Sequence, residues 1–170
     1  MTSPLDTGNR WAVLGVTAFA LSCLGMAAHR ASAMALVNES PSVPRGLYVR
    51  SIGAAATRGD MVALPQPEAG RPYLAGLGMP ADVLLLKRAA AAEGDRVCRV
   101  GDVVDIGSRT VSVRPLDRRG APLPQWRDCR RLGPGELFLL GDTPSSFDSR
   151  YFGPIHVSDL EGVFRETLTW

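Results

Sequence analysis

The chain is organised around residues 84–95, which read Leu-Leu-Leu-Lys-Arg-Ala-Ala-Ala-Ala-Glu-Gly-Asp. Three leucines in a row predict a buried strand. The residue after them, Lys87, is the only lysine among the 19 lysines and arginines of the chain. An arginine keeps its proton in a protein, whereas a desolvated lysine can lose it and act as a general base. Lys87 is therefore a candidate catalytic base; the alternative is a chance survivor in a genome that prefers arginine codons.

Length and composition favour one turn-rich domain. A chain of 170 residues is long enough for a single domain with a hydrophobic core. The net charge of +2 is close to balanced, so it gives no indication of nucleic-acid binding. Short apolar runs, separated by many of the 18 glycines and 13 prolines, predict a mostly β protein.

Residues 11–28 form an apolar segment without a charged side chain. As a helix it would span about 27 Å, enough for the hydrocarbon core of a bilayer. We expect residues 1–30 to hold a retained single-pass anchor and residues 31–170 to form the exported domain. A cleaved signal peptide is the alternative, since residues 31–33 (Ala-Ser-Ala) offer small side chains for a cut. A buried helix of a soluble domain is the third reading.

The cysteines fit an exported domain. Cys23 lies inside the apolar segment, where we expect it to be inert. Cys98 and Cys129 form an even pair in the exported part. Disulfides persist outside the cytoplasm, so we expect these two residues to be bonded. Two buried free thiols are the alternative.

Apolar patterns predict a series of strands. The expected strands are residues 47–50, 60–64, 82–87, 96–100, 102–106, 109–114, 136–140 and 163–167. A two-residue turn at Gly107 and Ser108 would join two of them as a hairpin. The four alanines at 89–92 are compatible with a helical turn. Residues 66–80 and 116–135 are expected to be irregular.

Residues 38–48 alternate serines and prolines before a glycine. Proline fixes φ and disfavours helix in the residue before it, so Ser42, between Pro41 and Pro44, should lie in a stiff non-helical link. Such a link suits a nucleophile. An ordinary proline-rich linker is the alternative.

A second polar segment, residues 141–155, follows a strand predicted to be buried. It concentrates Ser, Asp and Arg side chains in a loop, where functional groups often lie. We expect Asp148 and Arg150 to form an ion pair that fixes this loop. The alternative is that this pair only stabilises the structure and has no part in the chemistry.

Several site chemistries are disfavoured. The two histidines, His29 and His156, are far apart, and no cysteine or histidine spacing suits zinc. The sequence contains no glycine-rich phosphate-binding loop, so we expect neither a metal nor an organic cofactor. A Ser-His-Asp triad would have to use His156, which lies in an exposed-looking stretch.

A serine–lysine pair is the better chemistry for these residues. Ser42 would attack a carbonyl while neutral Lys87 takes its proton. The hydroxyl of Ser146 would orient the lysine amine. The backbone N–H of Ser42 and the hydroxyl of Ser40 would hold the oxyanion.

Four motifs occur in order along the exported part. They are Ser-Pro-Ser-Val-Pro at 40–44, Gly-Asp-Met-Val at 59–62, Leu-Lys-Arg at 86–88 with Gly-Asp at 94–95, and Gly-Asp at 141–142 with Ser-Phe-Asp-Ser-Arg-Tyr-Phe-Gly-Pro at 146–154. Together they resemble type I signal peptidases, the membrane-bound Ser-Lys endopeptidases. The resemblance implies a mostly β fold, shared with LexA-like repressors, on one N-terminal transmembrane helix.

The same resemblance implies roles for the candidate residues. Ser42 would be the nucleophile and Lys87 the general base. Ser40 would lie at the oxyanion hole and Ser146 beside the lysine. The Asp-x-Arg pair of the last motif would support them.

Details narrow the resemblance to one branch. The nucleophile motif is one residue shorter than the usual Ser-Met-x-Pro of general signal peptidases. An asparagine before Ser42, with Ser-x-Pro-x-Gly-x-Tyr at 42–48, is similar to the TraF-type peptidases of conjugative transfer, and so is the placement of Cys98 and Cys129. Those enzymes mature a pilin subunit, and some couple cleavage to cyclisation. Glu93 departs from the pattern, since a proline is usual there.

We therefore expect a Ser-Lys endopeptidase that removes the leader from an exported, pilin-like precursor, with or without cyclisation. The expected location is the bacterial inner membrane, with one span and the catalytic domain on the periplasmic side, in reach of a conjugation or secretion apparatus. A general signal peptidase with broad substrates is one alternative. An inactive scaffold of a secretion apparatus that keeps the fold is the other.

Overall fold

The computed structural model describes most of the chain. The described residues are 11–20, 22, 32–107 and 109–170. The chain divides into two compact units, Met1–Ala33 and Met34–Trp170.

In the first unit, residues 11–20 are helical. None of the helices in the described part of the chain combines the length and the apolar character needed to cross a bilayer. The predicted anchor at residues 11–28 lies partly outside the described residues. Cys23 is not among the described residues.

The second unit is mostly β, as predicted. Its strands are Ala35–Asn38 (β1), Gly46–Arg50 (β2), Met61–Leu64 (β3), Leu85–Ala91 (β4), Arg96–Val100 (β5), Val103–Ile106 (β6), Arg109–Ser112 (β7), Cys129–Arg131 (β8), Glu136–Leu140 (β9), Ile155–His156 (β10) and Gly162–Thr169 (β11). A seven-stranded sheet has the order β1-β2-β11-β3-β4-β9-β10, and a four-stranded sheet has the order β7-β6-β5-β8. Neighbouring strands pair antiparallel throughout.

Two short helices complete the unit, α1 (Arg71–Gly76) and α2 (Ser149–Phe152), with 3-10 turns at Glu68–Gly70 and Val157–Asp159. The prediction of irregular structure for residues 66–80 is wrong over α1. A proline in the first turn of that helix is tolerated, because the N–H it lacks would be unpaired there in any case.

Strands with a clear apolar pattern match their predictions. The ends of β2, β3, β5, β6, β7, β9 and β11 agree with the expected strands to within two residues. The predicted hairpin pairs β6 with β7, and Ser108 of its turn lies outside the described residues. β4 runs on through Ala91, so the alanines continue the strand and make no helical turn; a register shift against β9 lies between Ala89 and Ala91.

The core lies on both faces of the central strands. Along β9, Leu137 and Leu139 pack into one buried cluster, whereas Phe138 and Leu140 pack into the other. Successive side chains of a strand point to opposite faces, so an unbroken apolar run is what a strand buried on both faces requires. β4 and β9 therefore form a rigid base beside the candidate site.

Part of β4 keeps one edge unpaired within the described structure. Residues 85–88 all pair with β3, but β9 pairs with β4 only from Arg88 onward. Lys87 therefore lies on the half of β4 whose second edge is open to another strand.

A disulfide joins Cys98 of β5 to Cys129 of β8, as predicted. The two residues are direct partners in the ladder, so the bond fixes the end of the long 116–135 segment to the small sheet. The short strand β8 was not predicted within that segment. Its residues are Cys-Arg-Arg, which carry no apolar pattern.

We expect the Cys98→Ser/Cys129→Ser variant to lose about 3–4 kcal/mol of unfolding free energy, the chain-entropy value for a loop of this length. The sequence separation that the bond closes is 31 residues. Chemical denaturation of the exported protein measures the loss, with Cys23→Ser as the control that removes a thiol outside the pair. Non-reducing peptide mapping that finds Cys98 and Cys129 free would contradict the bond itself.

Candidate active site

Ser42 lies in the loop between β1 and β2 and is 8% exposed. Asn38, the last residue of β1, holds this loop from inside. Its side-chain amide donates to the carbonyls of Ser40 (2.9 Å), Val43 (3.1 Å) and Pro44 (2.9 Å), and its carbonyl accepts the backbone N–H of Ser40 at 3.1 Å. The non-helical presentation of Ser42 thus depends on one buried amide as well as on the prolines.

Lys87 extends from the open half of β4 to this loop. Its Nζ lies 3.1 Å from Ser42 Oγ and donates to the carbonyl of Leu86 at 3.0 Å. Lys87 is 4% exposed. Burial lowers the pKa of Lys87 from 10.5 to about 8, although the charge of Asp148 opposes the shift. At pH 7 about a tenth of an amine with that pKa is neutral, so the group can serve as a base near physiological pH.

Ser40 contacts Ser42 in two ways. Its Oγ accepts the backbone N–H of Ser42 at 3.2 Å and lies 2.9 Å from Ser42 Oγ. The two expected oxyanion donors, the Ser42 N–H and the Ser40 hydroxyl, are therefore neighbours. They are bonded to each other, so a substrate oxygen would have to replace this bond.

Ser146 is buried and lines the same cleft as Ser42 and Lys87. Its hydroxyl has no hydrogen-bond partner among the described residues, and the same holds for the hydroxyl of Thr143. The expected contact between Ser146 and the Lys87 amine is therefore not made in this structure. The amine is directed by the Leu86 carbonyl instead, because that acceptor is fixed in the backbone one residue away.

Asp148 and Arg150 form the predicted ion pair deep below the cleft. Arg150 Nε lies 2.7 Å from Asp148 Oδ1 and Nη2 lies 2.8 Å from Oδ2, so the pair is bidentate. Asp148 also accepts the backbone N–H of Gly141 at 2.9 Å. The guanidinium donates further to the carbonyls of Ser112, Thr143, Pro144 and Ser146. One buried pair thus fixes the loop that carries Ser146.

Position 141 requires a glycine, because Ser146 and the backbone of Ser42 approach it too closely to leave room for a side chain. A Cβ at this position would lie 2.1 Å from Ser146 Oγ and 2.8 Å from the Ser42 carbonyl oxygen. The next residue, Asp142, donates its backbone N–H to that carbonyl at 2.6 Å and binds Arg88 through both carboxylate oxygens at 3.0 Å. The Gly-Asp dipeptide therefore joins the loop that carries Ser42 to β4.

The sequence predicts no individual role for Asn38 or Asp142, which occur there only as members of motifs. A signal was available, since asparagine before a turn is suited to bonding its own backbone. Its bonds to carbonyls up to six residues ahead could not be read from spacing.

Comparisons with known proteins identify the family of this chain. The profile of a family described as signal peptidase, peptidase S26, matches residues 9–170. The chain belongs to the signal peptidase family, peptidase S26. Among its relatives are two plasmid transfer proteins TraF of Escherichia coli. One is 36% identical over 153 residues and covers 80% of this chain and 84% of the relative; the other is 34% identical over 169 residues and covers 92% and 94%.

A third relative is the conjugal transfer protein TraF of Agrobacterium fabrum, 34% identical over 146 residues, covering 79% of this chain and 82% of the relative. The crystal structure of a signal peptidase I from Enterococcus faecalis V583 is 24% identical and covers 65% of this chain and 97% of that one, with a TM-score of 0.38. The resemblance expected from the four motifs is confirmed by the family match and by the TraF names of the relatives.

Proposed function

We propose that this signal peptidase is a Ser-Lys endopeptidase with Ser42 as nucleophile and Lys87 as general base. The observation that carries the proposal is the 3.1 Å contact between Lys87 Nζ and Ser42 Oγ, at an amine whose burial lowers its pKa to about 8. An inactive scaffold would have no need to bury a lysine against a serine hydroxyl, because burying an ammonium group is unfavourable.

The reaction follows from these positions. Neutral Lys87 donates one N–H to the Leu86 carbonyl, and its lone pair takes the proton of Ser42 as Oγ attacks the scissile carbonyl carbon. The ammonium then protonates the leaving amine as the peptide C–N bond breaks. Lys87, neutral again, activates a water that hydrolyses the ester on Ser42. If an amine of the acylated segment, the part of the precursor before the cut, attacked the ester in place of water, that segment would leave Ser42 as a cyclic product.

The oxyanion would bind the Ser42 N–H and the Ser40 hydroxyl once a substrate oxygen replaces the bond between them. Ser146 and Thr143 line the same cleft, and their buried hydroxyls have no hydrogen-bond partner in the described part of the chain. Buried polar groups are normally paired, so we assign both hydroxyls to contacts that form with the substrate or during the reaction.

The precursor would bind as an added strand. The catalytic cleft has a volume of about 350 Å³ and runs along residues 83–87, the half of β4 with an open edge. An extended peptide can pair with such an edge through backbone hydrogen bonds, while its alternate side chains enter pockets. Leu74, Met79 and the residues before Lys87 provide the apolar lining. This cleft would hold the residues that precede the scissile bond.

The relatives named for plasmid and conjugal transfer support a precursor from conjugation, and we propose a pilin-like subunit as the substrate. The apolar residues 11–28 would anchor the protein in the bacterial inner membrane. The peptidase unit would then face the periplasm, where the Cys98–Cys129 bond is stable.

The proposal is tested with the full-length protein and a pilin precursor from the same transfer system. We expect removal of a leader by the wild-type protein, no removal by Ser42→Ala, and an acyl-enzyme on Ser42 detected by mass spectrometry. A segment before the cut that is lighter by one water than its linear form would indicate cyclisation. Wild-type protein that cuts no precursor and forms no acyl-enzyme would support the scaffold, whereas rescue of cells depleted of their own signal peptidase would support a general enzyme.

We expect small residues before the cut to be preferred, because the resemblance to signal peptidases implies shallow pockets fed by an extended chain. Replacing alanine by phenylalanine at these positions should lower kcat/KM by about 10–100-fold. Peptides that differ only at these positions measure the ratio. Equal processing of aromatic and small residues would contradict this pocket.

Asn38 is expected to act as a positioning residue. In Asn38→Asp the acceptor oxygen remains, but a carboxylate replaces the N–H groups that face three carbonyls. We expect kcat to fall by about 10–100-fold with a smaller change in KM, because a displaced nucleophile is misaligned for attack. Glu39→Gln, at the exposed neighbouring residue, is the matched control. An Asn38→Asp protein with unchanged kcat, or with KM alone altered, would contradict the assignment.

A further inference from the structure

A second cleft, of about 550 Å³, lies beside the catalytic one. Pro41 and the loop residues Ser145, Ser146 and Phe147 line both clefts and form the wall between them. A polypeptide whose scissile bond lies at Ser42 can therefore continue from one cleft into the other.

The second cleft carries an excess of positive charge. Arg114, Arg118 and Arg119 line it, and all three are exposed. Within the described structure, none of them has an acidic partner at ion-pair distance. Arginine is the side chain best suited to binding a carboxylate through two parallel hydrogen bonds.

Among the described residues that line this cleft, the one carboxylate is already engaged. Asp117 accepts the backbone N–H groups of Arg119 and Ala121 at 2.8 Å each, and the hydroxyl of Tyr73 at 3.1 Å. These bonds lower the pKa of Asp117, the Ala121 bond most of all. The carboxylate therefore closes its own turn, and the arginine guanidiniums remain available to a ligand.

Aromatic rings provide an apolar wall beneath the arginines. Phe147 stacks on Tyr151 with ring centroids 5.5 Å apart and an interplanar angle of 6°. Tyr73 packs against Phe147 from the side of α1, at 4.9 Å. An apolar wall with a few charged groups at the rim is typical of a site for side chains of a peptide.

We infer that the second cleft binds acidic side chains of the precursor on the C-terminal side of the scissile bond. The inference rests on the proposed function, which places the residues before the bond in the catalytic cleft. The segment after the bond then leaves Ser42 across the shared wall and meets the arginines. Continuity with the catalytic cleft and the aromatic wall favour a polypeptide over an anionic lipid headgroup.

The test uses peptides that contain one cleavage site and differ by a pair of glutamates or glutamines, placed either after or before the bond. At low ionic strength we expect glutamates after the bond to lower KM about three- to tenfold, the range for two solvent-exposed ion pairs. Salt should reduce this preference. In Arg118→Gln/Arg119→Gln the preference should disappear while kcat on the glutamine peptide stays unchanged.

Arg165→Gln, an exposed arginine of β11 outside both clefts, is the matched control and should keep the preference. The charge-reversed Arg118→Glu/Arg119→Glu protein should prefer lysines to glutamates after the bond. Equal KM values for the glutamate and glutamine peptides would overturn the inference. A preference that survives in the glutamine variant, or that appears only with glutamates before the bond, would do the same.

Two further measurements separate this inference from the proposed function. Anisotropy with labelled peptides and Ser42→Ala protein detects charge-dependent binding without any cleavage, so it reports on the cleft even if the chemistry is absent. Binding to phosphatidylglycerol vesicles tests the lipid. Loss of vesicle binding in the glutamine variant, with no change in peptide binding, would assign the arginines to the membrane and overturn the peptide site.

Discussion

Lys87→Arg is expected to lower the rate of precursor cleavage by at least about 10³-fold, as loss of a general base in a nucleophilic pair does. Arginine keeps the positive charge and a comparable length. Its guanidinium does not give up a proton in a protein, so it has no lone pair for the hydroxyl that lies 3.1 Å from the lysine amine. If Lys87 contributed only a charge, arginine would preserve much of the activity.

Lys87→Met is the matched variant, because it is uncharged, similar in length and free of any base. We expect it to be as inactive as Lys87→Arg, with both proteins folded by circular dichroism and by their denaturation midpoints. A folded Lys87→Arg protein that keeps more than about a tenth of the wild-type rate would remove Lys87 from the mechanism, and the Ser-Lys chemistry with it.

The pH dependence of the wild-type protein is the second readout of the same residue. Burial lowers the pKa of Lys87 to about 8, and the neutral amine is the active form in the proposed mechanism. The value of kcat/KM should therefore rise about tenfold per pH unit below pH 8 and level off above it. A rate that falls as pH rises through this range would contradict a neutral base.

The strands with strong apolar patterns could be predicted because burial on both faces leaves a direct trace in the sequence. β9 is an example, since its unbroken apolar run supplies both core clusters. β8, which reads Cys-Arg-Arg, leaves no such trace. β1 begins with three apolar residues, but these are exposed or only partly buried, so its short apolar run does not reflect burial on both faces.

The motifs predicted which residues form the candidate site, but they did not predict all the contacts among those residues. Ser42 and Lys87 lie at hydrogen-bond distance although 45 positions separate them. That contact depends on β4 and on the loop that Asn38 holds. The amine instead donates to the Leu86 carbonyl, and the Ser146 hydroxyl has no hydrogen-bond partner among the described residues, because side-chain rotamers and backbone acceptors decide such details. Neither is encoded in the spacing of motifs.

Arg150→Met is expected to be the most destabilising single substitution at the site, with a loss of about 3–5 kcal/mol of unfolding free energy. Arg150 is 3% exposed and Asp148 is 0% exposed. Methionine fills a similar volume but leaves the Asp148 carboxylate buried without its counterion. It also leaves four backbone carbonyls without the guanidinium that they share.

The double variant Asp148→Asn/Arg150→Met separates the charge from the rest of the network. It contains no buried charge from this pair, so it should regain part of the stability that Arg150→Met loses, even though one more native group has been changed. Asparagine can still accept the N–H of Gly141, which holds the end of β9 against the loop. Urea denaturation at equal m-values compares the variants. A double variant less stable than Arg150→Met would show that the bonds of the carboxylate, rather than its unpaired charge, dominate at this position, and the ion pair would then be a consequence of the loop's shape.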